Sequence, residues 1–169
     1  MTDLRADVQE HENKCQRCGI CCRVAAPVPS GRQIVVRGLS CIHLSLRDSD
    51  GRPECSVYEE RFQKASWCLH SSQASPEGGL SVGCGYRDAE HPGKEMVSDK
   101  EYAELWPQIV PVLLAAPDLP AGFTWAEFCK EVEKWDVGFS WSYTAQEDKT
   151  VKLRREPSFW SSLWTRGEI

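Results

Sequence analysis

The chain has 169 residues, of which 41% are hydrophobic and 27% are charged, and its formal net charge is −5. This length suits one compact domain, and the composition is that of an ordinary globular protein, which excludes a disordered chain. The longest apolar run, residues 109–117, is interrupted by Pro111 and is far shorter than the roughly 20 residues of a membrane-spanning helix. Because no apolar run is long enough, we expect no membrane association, and because a negative surface repels phosphates, we expect no nucleic acid as a partner.

The first 14 residues, MTDLRADVQEHENK, form a polar leader that mixes acidic and basic side chains. A secretory signal needs a basic start and an apolar centre, and this stretch does not have that pattern. We therefore expect a cytoplasmic protein. In a reducing compartment, dense cysteines are more often metal ligands than disulfide partners. The alternative, a disulfide framework, would require an export route that the sequence does not show.

Cysteine is the most informative residue type, because eight of the nine cysteines fall between residues 15 and 84. The first four form the motif Cys15-x-x-Cys18-Gly-x-Cys21-Cys22. A two-residue spacer lets consecutive thiolates reach one ion or one cluster, and Gly19 allows a tight turn between them. Metal binding is therefore the prediction from this motif. Its spacing also opens the cluster loop of bacterial ferredoxins, which favours a four-iron four-sulfur cluster, but zinc takes the same ligands.

The adjacent cysteines Cys21 and Cys22 bear on the number of centres. Neighbouring side chains in an extended backbone point to opposite sides, so we expect these two thiols to serve two different centres. Eight thiols would suffice for two sites of four. One larger site with spare cysteines is the alternative that the residues leave open.

Residues 15–94 are predicted to form a cysteine-rich domain with little regular structure, because turn residues occur throughout it. A β-branched run predicts a strand over residues 33–37, and a short helix is expected around residues 57–67. Such a segment buries too little surface to be stable alone. Metal binding would supply the missing free energy of folding.

The C-terminal part, residues 95–169, contains more regular patterns. Ser98 and Glu101 form a capping box that predicts the start of a helix, which Pro107 and Pro111 are expected to break or restart. Thr124 repeats the capping signature and predicts a helix over about residues 125–135.

The last predicted element is a β-hairpin. Apolar residues alternate on both sides of a polar turn at residues 146–149; they are Phe139, Trp141, Tyr143, Val151 and Leu153. The sequence therefore predicts the α+β class, with an irregular metal-stapled N-terminal part on which C-terminal helices and a hairpin pack.

Residues around the cysteines also carry a resemblance. The segments are Cys15-x-x-Cys18-Gly-x-Cys21-Cys22, Cys41-x-x-Leu44, Cys55-x-x-Tyr58-Glu59-x-Arg61-Phe62, Cys68, and Cys84-Gly-Tyr86-Arg87. In order and in identity they resemble the bacterial CxxCxxCC cysteine-cluster family, the YkgJ-like and YcgN-like zinc- or iron-chelating domains. The resemblance covers about residues 15–94 and does not extend into the C-terminal part.

The resemblance implies a ligand set. Its members are Cys15, Cys18, Cys21, Cys22, Cys41, Cys55, Cys68 and Cys84. It also implies that Tyr58 and Arg61 support the ligand loops or donate hydrogen bonds to sulfur. His43 and His70 could replace a ligand, although surface or supporting roles are the preferred interpretation. Cys129 lies outside the motif and is interpreted as a buried, inert thiol.

Three functions remain compatible with these residues. The first is a metal-binding protein with one or two iron–sulfur or zinc centres, structural or electron-carrying, whose partner is another protein or peptide. The second is an iron-dependent enzyme that modifies a protein or peptide, since a flagellin lysine N-methylase is among the family's relatives. The third is a zinc-folded interaction module. The sequence has no nucleophile elbow, phosphate-binding glycine loop or paired-histidine zinc motif, so the existence of a reaction stays open.

Overall fold

The computed structural model describes residues 18–47, 49–69, 71–117 and 119–158. Its strands are β1 Arg23–Pro27, β2 Gln33–Ser40, β3 Leu44–Leu46, β4 Pro53–Cys55, β5 Lys94–Glu95, β6 Leu119–Pro120, β7 Phe139–Ala145 and β8 Thr150–Pro157. Its helices are α1 Arg61–Lys64, α2 Ser71–Ala74, α3 Asp99–Ala115 and α4 Trp125–Val132, with 3₁₀ turns at Ile20–Cys22 and Tyr58–Glu60. This mixture confirms the predicted α+β class. The predicted leader, Cys15 and His70 lie outside the described residues.

The described strands pair into three sheets. In the first, β2 lies between β1, to which it is antiparallel, and β5, to which it is parallel. In the second, β3 and β4 form a small antiparallel pair. In the third, β8 lies between β6 and β7 and is antiparallel to both. The strand predicted over residues 33–37 is confirmed as the start of β2, and the predicted hairpin is confirmed as β7 and β8.

One hydrophobic core connects the first sheet with the C-terminal part. Its fully buried side chains include Ile34 and Leu39 of β2, Tyr102 of α3, and Phe128 of α4. The hairpin adds Trp141, whose ring lies edge-on to Phe128 at a centroid distance of 5.6 Å. The core therefore draws on residues from both sides of the predicted boundary at residue 94.

The helix α3 runs through both of its prolines, so the predicted break at Pro107 or Pro111 is wrong. Each proline removes a backbone N–H and leaves a carbonyl without its usual partner. Both prolines lie on the exposed face, where water can take over that hydrogen bond, while the opposite face buries Trp106 and Leu113 in the core. Packing of the buried face therefore outweighs the cost of the prolines. No helix in the described part of the chain combines the length and apolar character needed to cross a membrane.

The helix α4 begins at Trp125 as predicted but ends at Val132, and turns lead on to Trp135. The predicted cap is wrong, since the Thr124 side chain makes no capping hydrogen bond. Its hydroxyl instead donates to the backbone oxygen of Gly38 at 2.8 Å and accepts from the Ser40 N–H at 3.0 Å. Thr124 thus ties the start of α4 to the end of β2.

The cysteine-rich part is made of shorter pieces. The short helix expected around residues 57–67 is confirmed as the 3₁₀ turn Tyr58–Glu60 followed by α1. Among the described residues between 44 and 93, the buried apolar side chains are those of Ala65, Ala74 and Leu80. This region therefore lacks large buried side chains of its own.

Candidate functional site

The structure describes seven of the eight candidate thiols. Cys18 precedes the first 3₁₀ turn, which contains Cys21 and Cys22. Cys41 directly follows β2, and Cys55 is the last residue of β4. Cys68 lies beyond α1, and Cys84 lies in the turns that precede β5. Five separate stretches of chain thus carry the described thiols.

Backbone hydrogen bonds bring three of these stretches together. The N–H of Cys41 donates to the carbonyl of Cys22 at 2.7 Å, and the N–H of Leu44 donates to the carbonyl of Cys41 at 3.0 Å. Leu44 is also the antiparallel partner of Cys55. Cys22, Cys41 and Cys55 are therefore placed beside one another by the ends of β1, β2 and β4.

A tight turn at Gly19 positions the start of the motif. Its φ of +68° lies in the left-handed region, which side chains with a Cβ rarely adopt. A Cβ atom at this position would also lie 2.6 Å from Cβ of Pro53. The predicted tight turn is thus confirmed, and both the backbone angle and the close approach require glycine there.

The adjacent cysteines do not behave as expected. The sulfur atoms of Cys21 and Cys22 lie 3.9 Å apart, so the expectation that they point to opposite sides is wrong. The reason is local: the two residues belong to a 3₁₀ turn, whereas the expectation assumed an extended backbone. The number of centres stays a prediction, because proximity of two sulfurs does not fix it.

The two neighbouring sulfurs lie within hydrogen-bonding distance, and either of them can be the donor. The hydrogen bond from Cys22 lowers the pKa of Cys21 to about 6, against the effect of desolvation and with help from the nearby charge of Lys94. The same hydrogen bond, burial, and the neighbouring thiols of Cys21, Cys41 and Cys55 raise the pKa of Cys22. The arrangement therefore favours the thiolate form at Cys21 and the thiol form at Cys22.

Cys68 belongs to the same electrostatic neighbourhood. Burial raises its pKa first, the positive charge of Arg61 lowers it, and the thiols of Cys21, Cys55 and Cys41 raise it further. The described structure thus gathers five thiols that influence one another. They are Cys21, Cys22, Cys41, Cys55 and Cys68.

The first and last described candidate thiols, those of Cys18 and Cys84, belong to residues that both contact Ser81. The Cys18 sulfur lies 3.9 Å from the Ser81 hydroxyl oxygen. The backbone N–H of Cys84 donates to the carbonyl of the same serine at 3.0 Å. Ser81 is buried, and it brings the first described thiol of the motif close to the chain segment that carries the last.

The gathered side chains do not form a completed ligand shell. Within the described ranges, no group of three or more cysteine, histidine, aspartate or glutamate side chains is placed to hold an ion. The donor chemistry nevertheless suits zinc or an iron–sulfur cluster, since both are bound by thiolates. The thiols fit such a group in kind and neighbourhood, and side-chain rotation would have to bring them into its coordination sphere.

The predicted supporting residues lie near Cys68. The Arg61 guanidinium stacks 3.9 Å from the centre of the Tyr58 ring and 4.5 Å from that of Phe62. It also donates to the Tyr58 carbonyl at 2.5 Å. Arg61 therefore holds its own turn together while its charge acts on the Cys68 thiol. Hydrogen bonding from Tyr58 or Arg61 to a metal-bound sulfur stays a prediction.

Sequence analysis missed two residues at the site. The Trp67 indole N–H donates to the Cys41 sulfur at 3.4 Å, and its position next to Cys68 in the sequence is a signal that could have pointed to it. The Lys94 ammonium donates to the carbonyls of Cys21 and Arg23 at 3.1 and 2.5 Å. No local signal marks Lys94, because the residues whose carbonyls it contacts here, Cys21 and Arg23, are 73 and 71 positions away in sequence.

The remaining candidates have other contacts. The His43 ring stacks in parallel with Trp67, with a centroid distance of 6.2 Å. Cys129 is half-buried and packs against the core, where burial, then Glu133, raises the pKa of its thiol. The contact with Trp67 favours a role for His43 in holding the residues around the thiols. The packing of Cys129 favours its interpretation as a thiol that binds no metal.

Comparison with known proteins adds no relative. No family model, curated protein or solved structure matches the chain. The resemblance to the CxxCxxCC family therefore rests on the motif residues themselves and stays a prediction. Any function must accordingly be argued from the gathered thiols.

Proposed function

We propose that this chain is a cytoplasmic metal-binding protein that holds one or two iron–sulfur or zinc centres through its cysteine thiolates. The centre serves a structural or an electron-carrying role. The observation that carries the proposal is the gathering of Cys21, Cys22, Cys41, Cys55 and Cys68 into one neighbourhood. Their segments are far apart in sequence, so the fold rather than local spacing brings them together.

The electrostatics of the thiols support a bound cation. The hydrogen bond with Cys21 and then burial raise the pKa of Cys22, and burial raises that of Cys68. The neighbouring thiols raise both further, because deprotonating several of them accumulates negative charge. A metal cation offsets that charge and favours loss of the thiol protons. Deprotonation of Cys22 and Cys68 is thus unfavourable without a cation and is favoured by a bound metal.

Packing also supports a structural contribution from the metal. The described residues between 44 and 93 bury only Ala65, Ala74 and Leu80 among apolar side chains. Small regions of this kind commonly gain their folding free energy from a bound metal. We propose that metal–thiolate bonds stabilise the folded state of this segment in the same way.

A protein or peptide is the proposed partner. The segments that carry the thiols expose large apolar side chains at Ile42, Leu46 and Phe62, which are 55%, 68% and 48% exposed. Contiguous exposed apolar residues are typical of surfaces that meet another protein, and we propose that these three side chains contribute to such a surface. A partner that docks there would lie near the centre, as electron transfer requires.

The test is the metal content of protein purified without oxygen and without added metal. An iron–sulfur protein would be brown, contain iron and acid-labile sulfide, and lose visible absorbance on reduction. A zinc protein would be colourless and contain stoichiometric zinc. Neither iron nor zinc in the folded protein, or disulfides among the motif cysteines, would overturn the proposal.

Two matched variants sharpen this test. Cys41→Ser removes a buried thiol of the neighbourhood, so we expect it to lower the metal content substantially. Cys129→Ser removes a half-buried thiol that packs on the core outside the motif, so its metal content should equal that of the wild type. Equal metal content in both variants would contradict the assignment of Cys41.

A further inference from the structure

We propose that Trp67 positions the Cys41 sulfur as a ligand of the metal centre. We further propose that Gly122, in the C-terminal part, fixes the position of the Trp67 ring by packing against it. The Trp67 indole N–H donates to the sulfur of Cys41 and thereby tunes that thiolate as a ligand. This inference rests on the proposed metal-binding function. It assigns an influence on the ligand to a residue outside the cysteine motif, since Gly122 lies far beyond the motif in sequence.

The hydrogen bond reaches a sulfur whose position is fixed. Nε1 of Trp67 lies 3.4 Å from Sγ of Cys41, which is only 8% exposed. The backbone around this cysteine is held on both sides. Cys41 donates its N–H to Cys22, and the next residue, Ile42, donates its N–H to the carbonyl of Gly122 at 3.1 Å.

The Trp67 indole packs directly against the backbone of Gly122. A Cβ atom at this position would lie 1.8 Å from Cη2 of Trp67 and 2.1 Å from its Cζ2. Such distances are far inside van der Waals contact, so any side chain at 122 must displace the ring. Because Gly122 has no Cβ, the Trp67 ring can approach its backbone closely. The carbonyl of the same residue accepts the hydrogen bond from the Ile42 N–H.

Two further rings restrict the orientation of Trp67. The His43 ring is nearly parallel to it, with an interplanar angle of 5°, and the Phe123 ring is tilted against it at a centroid distance of 5.8 Å. With its benzene edge against Gly122 and these two rings beside it, the indole has little freedom to rotate. Its N–H is thus held toward the Cys41 sulfur.

A hydrogen bond to a thiolate changes what that thiolate does as a ligand. An N–H donor withdraws electron density from sulfur and stabilises its negative charge. With iron bound, less negative charge reaches the metal, which raises the reduction potential. With a divalent ion bound, the same withdrawal moves the sulfur-to-metal charge-transfer band to higher energy. A residue that only fills space would change neither quantity through its N–H.

The experiment replaces Trp67 by β-(3-benzothienyl)alanine, which keeps the ring shape and exchanges the N–H for sulfur. Cobalt(II) is titrated into metal-free reduced protein, and the thiolate charge-transfer band and the affinity are recorded. We expect the band to move to lower energy and the affinity to fall about tenfold, as is typical when a ligand loses its supporting partner. Gly122→Ala should move the band in the same direction, because it displaces the same ring.

Trp125 provides the matched control. Its indole N–H also makes a hydrogen bond, at 2.9 Å, but to the backbone carbonyl of Pro120 rather than to sulfur. The same analogue at position 125 should leave the cobalt band unchanged. A Trp67 analogue that binds cobalt with the wild-type band would overturn this inference and leave the proposed function standing. Wild-type protein that binds no cobalt through thiolates would overturn both.

If Gly122→Ala does not fold, the analogue at Trp67 still tests the hydrogen bond to Cys41, because the analogue preserves the shape of the ring. A second readout applies if the native centre contains iron. The Trp67 analogue should then have a lower reduction potential than the wild type, whereas the Trp125 analogue should not. An unchanged potential in the Trp67 analogue would count against the inference.

Discussion

The two parts of this molecule are held together in different ways. The sheet of β1, β2 and β5 packs with α3, α4 and the hairpin around large buried side chains such as Tyr102 and Phe128. The segment between residues 44 and 93 has helices and strands of three or four residues. The apolar side chains buried among its described residues are those of Ala65, Ala74 and Leu80. This sparsely packed segment carries three of the candidate thiols, Cys55, Cys68 and Cys84.

This contrast suggests a division between packing and ligation. Burial of apolar area stabilises the core without any ligand. The cysteine-rich segment lacks that contribution, and we expect metal–thiolate bonds to supply it. The two parts meet at Cys41, which bridges to Phe123, and at Trp67, which rests on Gly122.

The largest expected effect comes from Phe128→Ala, which removes a fully buried ring from the core. The lost transfer free energy and the remaining cavity should lower the free energy of unfolding by about 3–5 kcal/mol. Denaturant unfolding, followed by circular dichroism, measures this change.

The control for that variant is Phe62→Ala in the cysteine-rich segment. Phe62 is 48% exposed, so its loss should cost less than about 1 kcal/mol. Similar losses in the two variants would break the comparison, because the exposed region would then depend on apolar packing as much as the core does.

Asp136→Asn is expected to have the next largest effect. The Asp136 carboxylate is buried, and it accepts hydrogen bonds from Arg155 at 2.7 and 2.9 Å and from the Trp141 indole at 2.5 Å. Removing its charge leaves the guanidinium with a neutral partner and should cost about 2 kcal/mol. Asp99→Asn is the control, because Asp99 also pairs with an arginine but is largely exposed and should cost under about 1 kcal/mol.

The effect of Asp136→Asn should depend on pH. Burial alone raises the pKa of Asp136, but the hydrogen bonds from Arg155 and Trp141 outweigh it, so the pKa in the folded protein lies below its ordinary value. The stabilisation is therefore complete above the unfolded pKa of about 4 and is lost as the pH falls through the lower folded pKa. The difference between wild type and variant should shrink in that acidic range. A constant difference would contradict the role of the charge.

The smallest expected effect is that of Ser98→Ala. The Ser98 hydroxyl accepts the Glu101 N–H at 3.3 Å and caps α3, so its loss should cost about 1 kcal/mol. Ser140→Ala, at an exposed serine of β7 whose hydroxyl makes only a long hydrogen bond of 3.5 Å, should cost less. Thermal unfolding of both variants tests the predicted cap.

Local patterns were enough to predict much of the core. The β-branched run gave the start of β2, the capping box gave the start of α3, and alternation gave the hairpin. These signals are local, because each arises from residues that lie close together in sequence. The resulting elements need only a nearby apolar face to be stable.

Most of the errors have another cause, which is tertiary structure. The prolines of α3 are tolerated because the opposite face of the helix is buried, and the Thr124 hydroxyl bonds β2 instead of its own helix. Likewise, the contact of Trp67 with Gly122 joins segments distant in sequence. The turn at Cys21 and Cys22 is the exception, because it is a local 3₁₀ turn where an extended backbone was expected. The assignment of cysteines as ligands therefore stays a prediction, and the contacts that position them could not be predicted from local patterns.

The most direct test of this account is hydrogen exchange, measured by mass spectrometry on reduced protein before and after removal of metal by a chelator. We predict that amides of the described residues between 44 and 93 lose protection when metal is removed. Amides of β2, α3 and α4 should keep theirs, because apolar packing holds them. Unchanged protection in the cysteine-rich segment, or equal loss in both parts, would contradict the division between a packed core and a metal-held segment.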